Sequence, residues 1–138
     1  MHIWEKNWKE ADAKKAEMAI GKAMRNEKWI VEGWLLPGAE TRLKKADLII
    51  DLDYSGMRAM LGGLKRWWMF RGKKRPEMPE GCIEGQAIDW EYLNVMFRRL
   101  ERVGIEAVIK PFKKSKKFVR LRSHRETKKF VRTLLKDR

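Results

Sequence analysis

A chain of 138 residues and 16.5 kDa, 43% hydrophobic, is long enough for one domain and too apolar for a disordered tail. Its 33 Lys and Arg against 19 Asp and Glu give a net charge of +14 and a pI near 10.1, a balance that favours polyanionic partners. One cysteine, Cys82, excludes an internal disulfide framework, and with only His2 and His124 beside it no zinc-ligand set is present. No apolar run approaches the ~20 residues of a membrane span, and the N-terminus lacks the apolar centre of a signal peptide. The class expected is a soluble, cytoplasmic, basic protein of one α/β domain over residues 1–138, with no membrane partner.

Taken in chain order, Trp8 to Glu27 places Ala13, Ala16, Ala19, Ile20 and Ala23 at helical spacing and predicts a helix. The nearly continuous apolar run 29–36, stopped by Pro37-Gly38, predicts a strand covered on both faces, as in parallel sheets. Residues 46–53 predict a second strand of the same kind, with Asp51 and Asp53 towards its end. From Met57 the positions Met60, Leu61, Leu64, Trp67 and Trp68 predict a helix, which Gly62 and Gly63 weaken by roughly 1 kcal/mol each relative to alanine. Residues 71–87, with three glycines, two prolines and no periodicity, predict an excursion outside the core. Ile88 to Val103 predicts a helix through Leu93, Met96, Phe97 and Leu100, and 117–121 a third strand. Ser123-His124-Arg125-Glu126 is a capping-box sequence, opening a last helix whose stripe Phe130, Val131, Leu134 and Leu135 is expected to pack on the sheet.

The charge excess is local. Residues 1–109 carry a net of +3 and residues 110–138 a net of +11. A second patch, Lys65, Arg66, Arg71, Lys73, Lys74 and Arg75, holds six cations within eleven residues, interrupted by Trp67, Trp68, Met69 and Phe70. Like charges packed together repel unless an anion relieves them, so both patches are candidate anion sites, with a solvated face as the alternative. A nucleophilic triad has no support: Cys82 has no nearby histidine in sequence, and Ser123 beside His124 is better explained as a helix cap. Asp47, Asp51 and Asp53 have the strand-end placement of metal ligands or of a solvated terminus. Glu32 is a lone carboxylate inside an apolar run, which points to a ligand-holding role or a salt bridge. Neither Gly-Lys pair, Gly21-Lys22 or Gly72-Lys73, fits the phosphate-cradling pattern G-x-x-x-x-G-K-[ST], so no Walker A loop is present.

Arg71-Gly72-Lys73-Lys74-Arg75-Pro76-Glu77-Met78-Pro79-Glu80-Gly81-Cys82 resembles the lid segment, approximately RGRxRPDMxEGC, of the adenylate-kinase-like P-loop NTPases called DNA topology modulation (FlaR-type) proteins. Trp4-x-x-x-Trp8, Trp29-Ile30-Val31-Glu32-Gly33, residues 48–53, Ile88-Asp89-Trp90-Glu91 and residues 119–123 resemble that family's other landmarks, in order. Glu32 stands where the family has Asp, Trp34 where it has Asn, and Gly62 where an arginine is expected.

The resemblance implies a partial three-layer α/β P-loop NTPase fold: a parallel sheet, covering helices and a lid at 71–87, with the first strand and Walker A loop absent. It implies a nucleotide phosphotransferase body that binds ATP, Mg²⁺ and a nucleoside monophosphate. It also implies catalytic roles for the lid arginines Arg71 and Arg75, with Arg66 and Glu32 binding the cofactor. Without the cradling loop the chain is expected to be a truncated, inactive and weakly stable product. The alternative is a non-catalytic nucleic-acid-binding module using the basic C-terminal segment.

Overall fold

The structure is a computed structural model that describes residues 4–33, 38–85, 87–115 and 117–136. It is a mixed α/β protein. Its helices are α1 (Ala13–Ala23), α2 (Ala39–Lys45), α3 (Gly56–Phe70), α4 (Trp90–Arg98), α5 (Arg102–Ile109) and α6 (His124–Lys136), and its strands are β1 (Ile49–Leu52) and β2 (Phe118–Leu121). Two short 3₁₀ turns, Lys6–Trp8 and Lys110–Phe112, complete the order. Residue contacts group the chain into two compact units. Unit 1 is Met1–Ala39 with Leu64–Asp89, and unit 2 is Glu40–Gly63 with Trp90–Arg138.

Unit 2 is built on the sheet. β1 and β2 run parallel, with Ile49 opposite Phe118, Ile50 opposite Val119, Asp51 opposite Arg120 and Leu52 opposite Leu121. The ladder continues at both ends, where Ile49 N donates to the Lys117 carbonyl (2.7 Å) and Asp53 N to the Leu121 carbonyl (2.9 Å). The expectation of a strand covered on both faces is corrected here. Ile49 and Asp51 are buried, whereas Ile50 and Leu52 are exposed, so β1 is covered on one face only. Ala46, Ile49, Leu93, Ile109 and Leu121 form the buried apolar positions of this unit.

Two glycines of α3 set how closely α4 approaches. A Cβ on Gly56 would lie 1.8 Å from the Phe97 carbonyl oxygen, and one on Gly63 would lie 2.8 Å from Leu93 Cδ2. The helix propensity lost at Gly63 is therefore exchanged for close packing, an exchange that the sequence pattern does not reveal. The single helix expected over 88–103 is broken. α4 stops at Arg98, Arg99 takes a positive φ of 56°, and α5 restarts at Arg102. A non-glycine residue in that region is uncommon and held by its surroundings, here by an ion pair to Asp53.

The capping box forms as expected: Glu126 N donates to Ser123 Oγ (3.2 Å), and Ser123 Oγ donates to Glu126 Oε1 (3.2 Å). The reach back goes one residue further, with Arg122 N donating to Glu126 Oε2 (2.7 Å). Tyr54 ties the exit of β1 to α6 through its hydroxyl, 2.7 Å from Thr127 Oγ1, and its ring meets His124 edge to face. The expected packing of the α6 stripe on the sheet is corrected: Phe130 is half-buried, but Val131, Leu134 and Leu135 are exposed. Asp137, at the expected end of that helix, lies outside the described residues.

In unit 1 the expected helix over 8–27 shortens to α1, capped by Asp12, whose Oδ1 accepts from Lys15 N (3.0 Å). Upstream, Asn7 and Trp8 take positive φ and cannot continue it. The strand expected over 29–36 does not form over 29–33, which is irregular with Ile30 95% exposed; residues 34–36 lie outside the described residues. A strand is stable only when its backbone groups are paired, and apolar content supplies no partner. The helix α2 was not anticipated, being only seven residues of mixed polarity.

The excursion is corrected as well. It is not outside the core, because Met78 and Cys82 are buried, Cys82 completely. Gly72 N donates to the Glu84 carbonyl and Glu84 N to the Lys73 carbonyl, both at 3.0 Å, so the loop closes on itself. The N-terminal segment docks on its far limb. Trp8 N reaches Cys82 Sγ (3.4 Å), Trp8 Nε1 donates to the Ile83 carbonyl (2.8 Å), and Cys82 Sγ donates to the Glu5 carbonyl (3.3 Å). Gly81, at φ 74°, allows this approach, since a Cβ there would meet Asn7 Oδ1 at 1.8 Å. Trp4-x-x-x-Trp8 and Glu80-Gly81-Cys82, far apart in sequence, are thus one packing unit.

Candidate functional site

Among the described residues, the densest array of paired charges lies in unit 2, at the carboxyl ends of β1 and β2. The alternation of β1 places Asp51 on its covered face, directly opposite Arg120 on β2. The break between α4 and α5 brings in Arg99 and Arg102. Arg102 grips Asp51 as a fork, Nη1 to Oδ1 at 2.8 Å and Nη2 to Oδ2 at 2.7 Å, and its Nη2 also donates to Glu106 Oε1 (2.8 Å). Arg120 donates from Nε to Asp51 Oδ2 (2.7 Å) and from Nη2 to Glu106 Oε1 (2.8 Å). Arg99 pairs with Asp53 and Lys113 with Glu106. Arg122 Nε lies 3.7 Å from Asp53 Oδ2.

Three carboxylates thus meet five cations, and the cluster carries an excess of positive charge. Burial pushes the Asp51 carboxyl up, but bonds and charge from Arg102 and Arg120 outweigh it and hold the group below the usual aspartate range. The Lys113 hydrogen bond, opposed by burial and joined by Arg102 and Arg120, brings the Glu106 carboxyl down to about 2. The Arg102 guanidinium is held more firmly protonated than usual, chiefly by its bond to Asp51. Chemically the cluster is a prearranged set of guanidinium groups of fixed orientation, with Arg122 and Arg99 the more exposed members.

The residues singled out from sequence lie in unit 1. Arg71 stacks its guanidinium 4.3 Å from the Trp68 ring centroid and 5.4 Å from that of Trp67. Arg75 is mostly buried and committed inside the excursion, with Nε 2.6 Å from Glu84 Oε1 and Nη1 3.0 Å from Glu77 Oε1. The excursion thus holds Arg75 against its own carboxylates, although its buried Nε makes no hydrogen bond. Arg66 is half-buried. Glu32 is exposed on irregular backbone and not in a buried strand, so the desolvation argument for a site there does not apply. Among the described residues no three His, Cys, Asp or Glu side chains group to hold a metal ion, and Asp51 and Asp53 are held by arginines. The described side chains of this cluster therefore do not form a Mg²⁺ site.

Arg99, Arg102, Arg120 and Glu106 were not singled out from sequence. Two signals were available: the cation cluster Arg98-Arg99-x-x-Arg102, and Arg120 as the one charge inside the apolar strand 118–121. The assumption of one continuous helix over 88–103 hid what the break does with those arginines. Among the described residues no helix is long and apolar enough to cross a membrane. No protein-family model, curated protein or solved structure matches this chain.

Proposed function

We propose that the chain is a phosphate-handling body of the adenylate-kinase-like type, in which the arginines at the strand ends receive the phosphates of a nucleotide such as ATP or a nucleoside monophosphate. The observation that carries this reading is the convergence of Arg99, Arg102, Arg120 and Arg122 on the carboxyl ends of two parallel strands. Ligands of open α/β sheets bind outside those ends. Planar guanidinium groups bind two phosphate oxygens at once, and Asp51, Asp53 and Glu106 hold them oriented beforehand. An arriving phosphate would meet Arg122 and Arg99 first and compete with Asp53 for them. Phosphoryl transfer also needs amides and a lysine around the β- and γ-phosphates, and no G-x-x-x-x-G-K-[ST] run in this sequence supplies them. The reading therefore claims phosphate binding by these 138 residues and no turnover.

The test is calorimetric titration of the protein with ATP, AMP and pyrophosphate, comparing wild type with an Arg99→Ala, Arg122→Ala double variant. Salt-sensitive binding that weakens at least about tenfold in the variant, a loss of ~1.4 kcal/mol, supports the reading. Binding that is absent, or unchanged in the variant, overturns it. Turnover of ATP and AMP by the chain as given would overturn the claim that it is inactive.

A second reading, contact with a nucleic-acid backbone, is favoured by one observation on α6. His124, Arg125, Lys128, Lys129, Arg132 and Lys136 line one side of that helix around a shallow groove. Such a stripe neutralises phosphates without reading sequence.

A further inference from the structure

The last two turns of α3 run Lys65-Arg66-Trp67-Trp68-Met69-Phe70, and Arg71, Lys73, Lys74 and Arg75 follow with no acid among them. The two tryptophans are placed differently. Trp67 is anchored, its Nε1 donating to the Ala87 carbonyl at 3.1 Å. Trp68 leaves 65% of its surface to solvent even with the Arg71 guanidinium lying over its ring, and Met69 beside it is also exposed. Arg71 reaches both rings and so restrains the orientation of the open one.

We propose that Trp68 is a stacking platform for single-stranded nucleic acid. A base lies on the open surface of the indole, and the neighbouring phosphates pass the exposed ammonium groups of Lys65 and Lys73. Three features select this occupant. The ring is large, flat and held in place, which is what base stacking requires. The charge around it is positive, matching a polyanion that carries one phosphate per base. The ring is open to solvent near a helix end, whereas a free mononucleotide is usually held in a concave cavity. A duplex does not suit the ring, because its bases are already stacked on one another. This inference rests on neither reading above, since it uses side chains of unit 1 alone.

The experiment is fluorescence anisotropy of a labelled oligothymidylate about 15 nucleotides long, near the upper end of known single-strand site sizes, at two salt concentrations. The expected result is binding that weakens as salt rises, and weaker binding to a duplex of equal length. Trp68→Ala should lose about tenfold or more in affinity, Trp68→Phe should keep most of it, and Lys65→Ala, Lys73→Ala should flatten the salt dependence. Thermal melting of each variant checks the fold, which an exposed position should leave unchanged. Four results would overturn the proposal: no binding at low salt, duplex bound as tightly as single strand, Trp68→Ala indistinguishable from wild type, or affinity lost only on Lys128→Ala, Lys129→Ala, Arg132→Ala in α6.

Discussion

The strand-end cluster of unit 2 and the Lys65–Arg75 patch of unit 1 are both rich in cations, and they are opposite in what surrounds those cations. At the strand ends each arginine has a carboxylate partner, and Asp51 at the centre is buried beneath two of them. In the patch Arg75 is paired with Glu77 and Glu84, while Arg71 lies on aromatic rings and Lys65 and Lys73 are exposed. Ionic groups of the first kind hold structure together, because removing one leaves its partner charged and desolvated, and a ligand reaches them only through their more exposed members, Arg99 and Arg122, in competition with Asp53. Lys65, Arg71 and Lys73, of the second kind, are open to a ligand without displacing a carboxylate and contribute little to stability. Charge density along a sequence does not separate these two situations; the position of the acids does.

The sharpest way to break the comparison is at Asp51. Asp51→Ala leaves Arg102 and Arg120 facing each other without their shared carboxylate, and it should destabilise unit 2 by about 2–3 kcal/mol, somewhat below a fully buried pair. Hydrogen exchange at the β1, β2 and α5 amides should report the loss. Tryptophan fluorescence should report less of it, because six of the seven tryptophans belong by position to unit 1 and only Trp90 to unit 2. A change of less than about 0.5 kcal/mol would mean that Arg102 and Arg120 find equivalent partners in Asp53 and Glu106.

Acid should act on the same cluster more gradually. The folded carboxyls of Asp51 and Glu106 are lowered, Glu106 from 4.5 to about 2, so they bind protons less readily folded than unfolded. Their contribution is complete above the unfolded values of 3.8 and 4.5 and is lost as pH falls towards 2. Glu101, raised by burial, works in the opposite direction and softens the slope. Amide exchange in unit 2 should therefore accelerate between about pH 4.5 and pH 2, after correction for the intrinsic rate. Asp51→Asn should remove part of that dependence, and an unchanged profile in the variant would place the titrating groups elsewhere.

These tests also mark where sequence reasoning was sufficient. The parallel strands at 49–52 and 118–121, the helix at 56–70 and the Ser123 capping box follow from local pattern, because apolar periodicity and a cap act within a few residues. The strand expected at 29–36 failed over 29–33 because pairing is non-local. The break at Arg99 was hidden for a related reason: its positive φ is held by Asp53, a residue 46 positions away. Arg71 and Arg75 stood out in one motif, but whether each was free or committed depended on Glu77, Glu84 and two indole rings. Glu32 misled in the same way, since a carboxylate inside an apolar run argues for a site only if the run is buried.

The smallest effects sharpen the contrast inside unit 1 itself, between two arginines four residues apart that the sequence treats alike. Arg75→Ala removes a mostly buried guanidinium from Glu84, which is itself little exposed, and leaves that carboxylate without its ion pair at the closure of the excursion. Its expected cost is about 1–2 kcal/mol, and it should loosen the hydrogen bonds that join Gly72 and Lys73 to Glu84. Arg71→Ala removes only an exposed contact with Trp67 and Trp68, worth about 0.5–1 kcal/mol. Denaturant unfolding followed by tryptophan fluorescence suits both, since the rings that report are in the same unit. Binding should rank them the other way. Oligothymidylate affinity should fall more with Arg71→Ala, which frees the Trp68 ring to reorient, than with Arg75→Ala, whose charge is already matched. If Arg75→Ala costs nothing in stability and Arg71→Ala costs nothing in binding, the distinction between a committed and an available arginine fails in this unit.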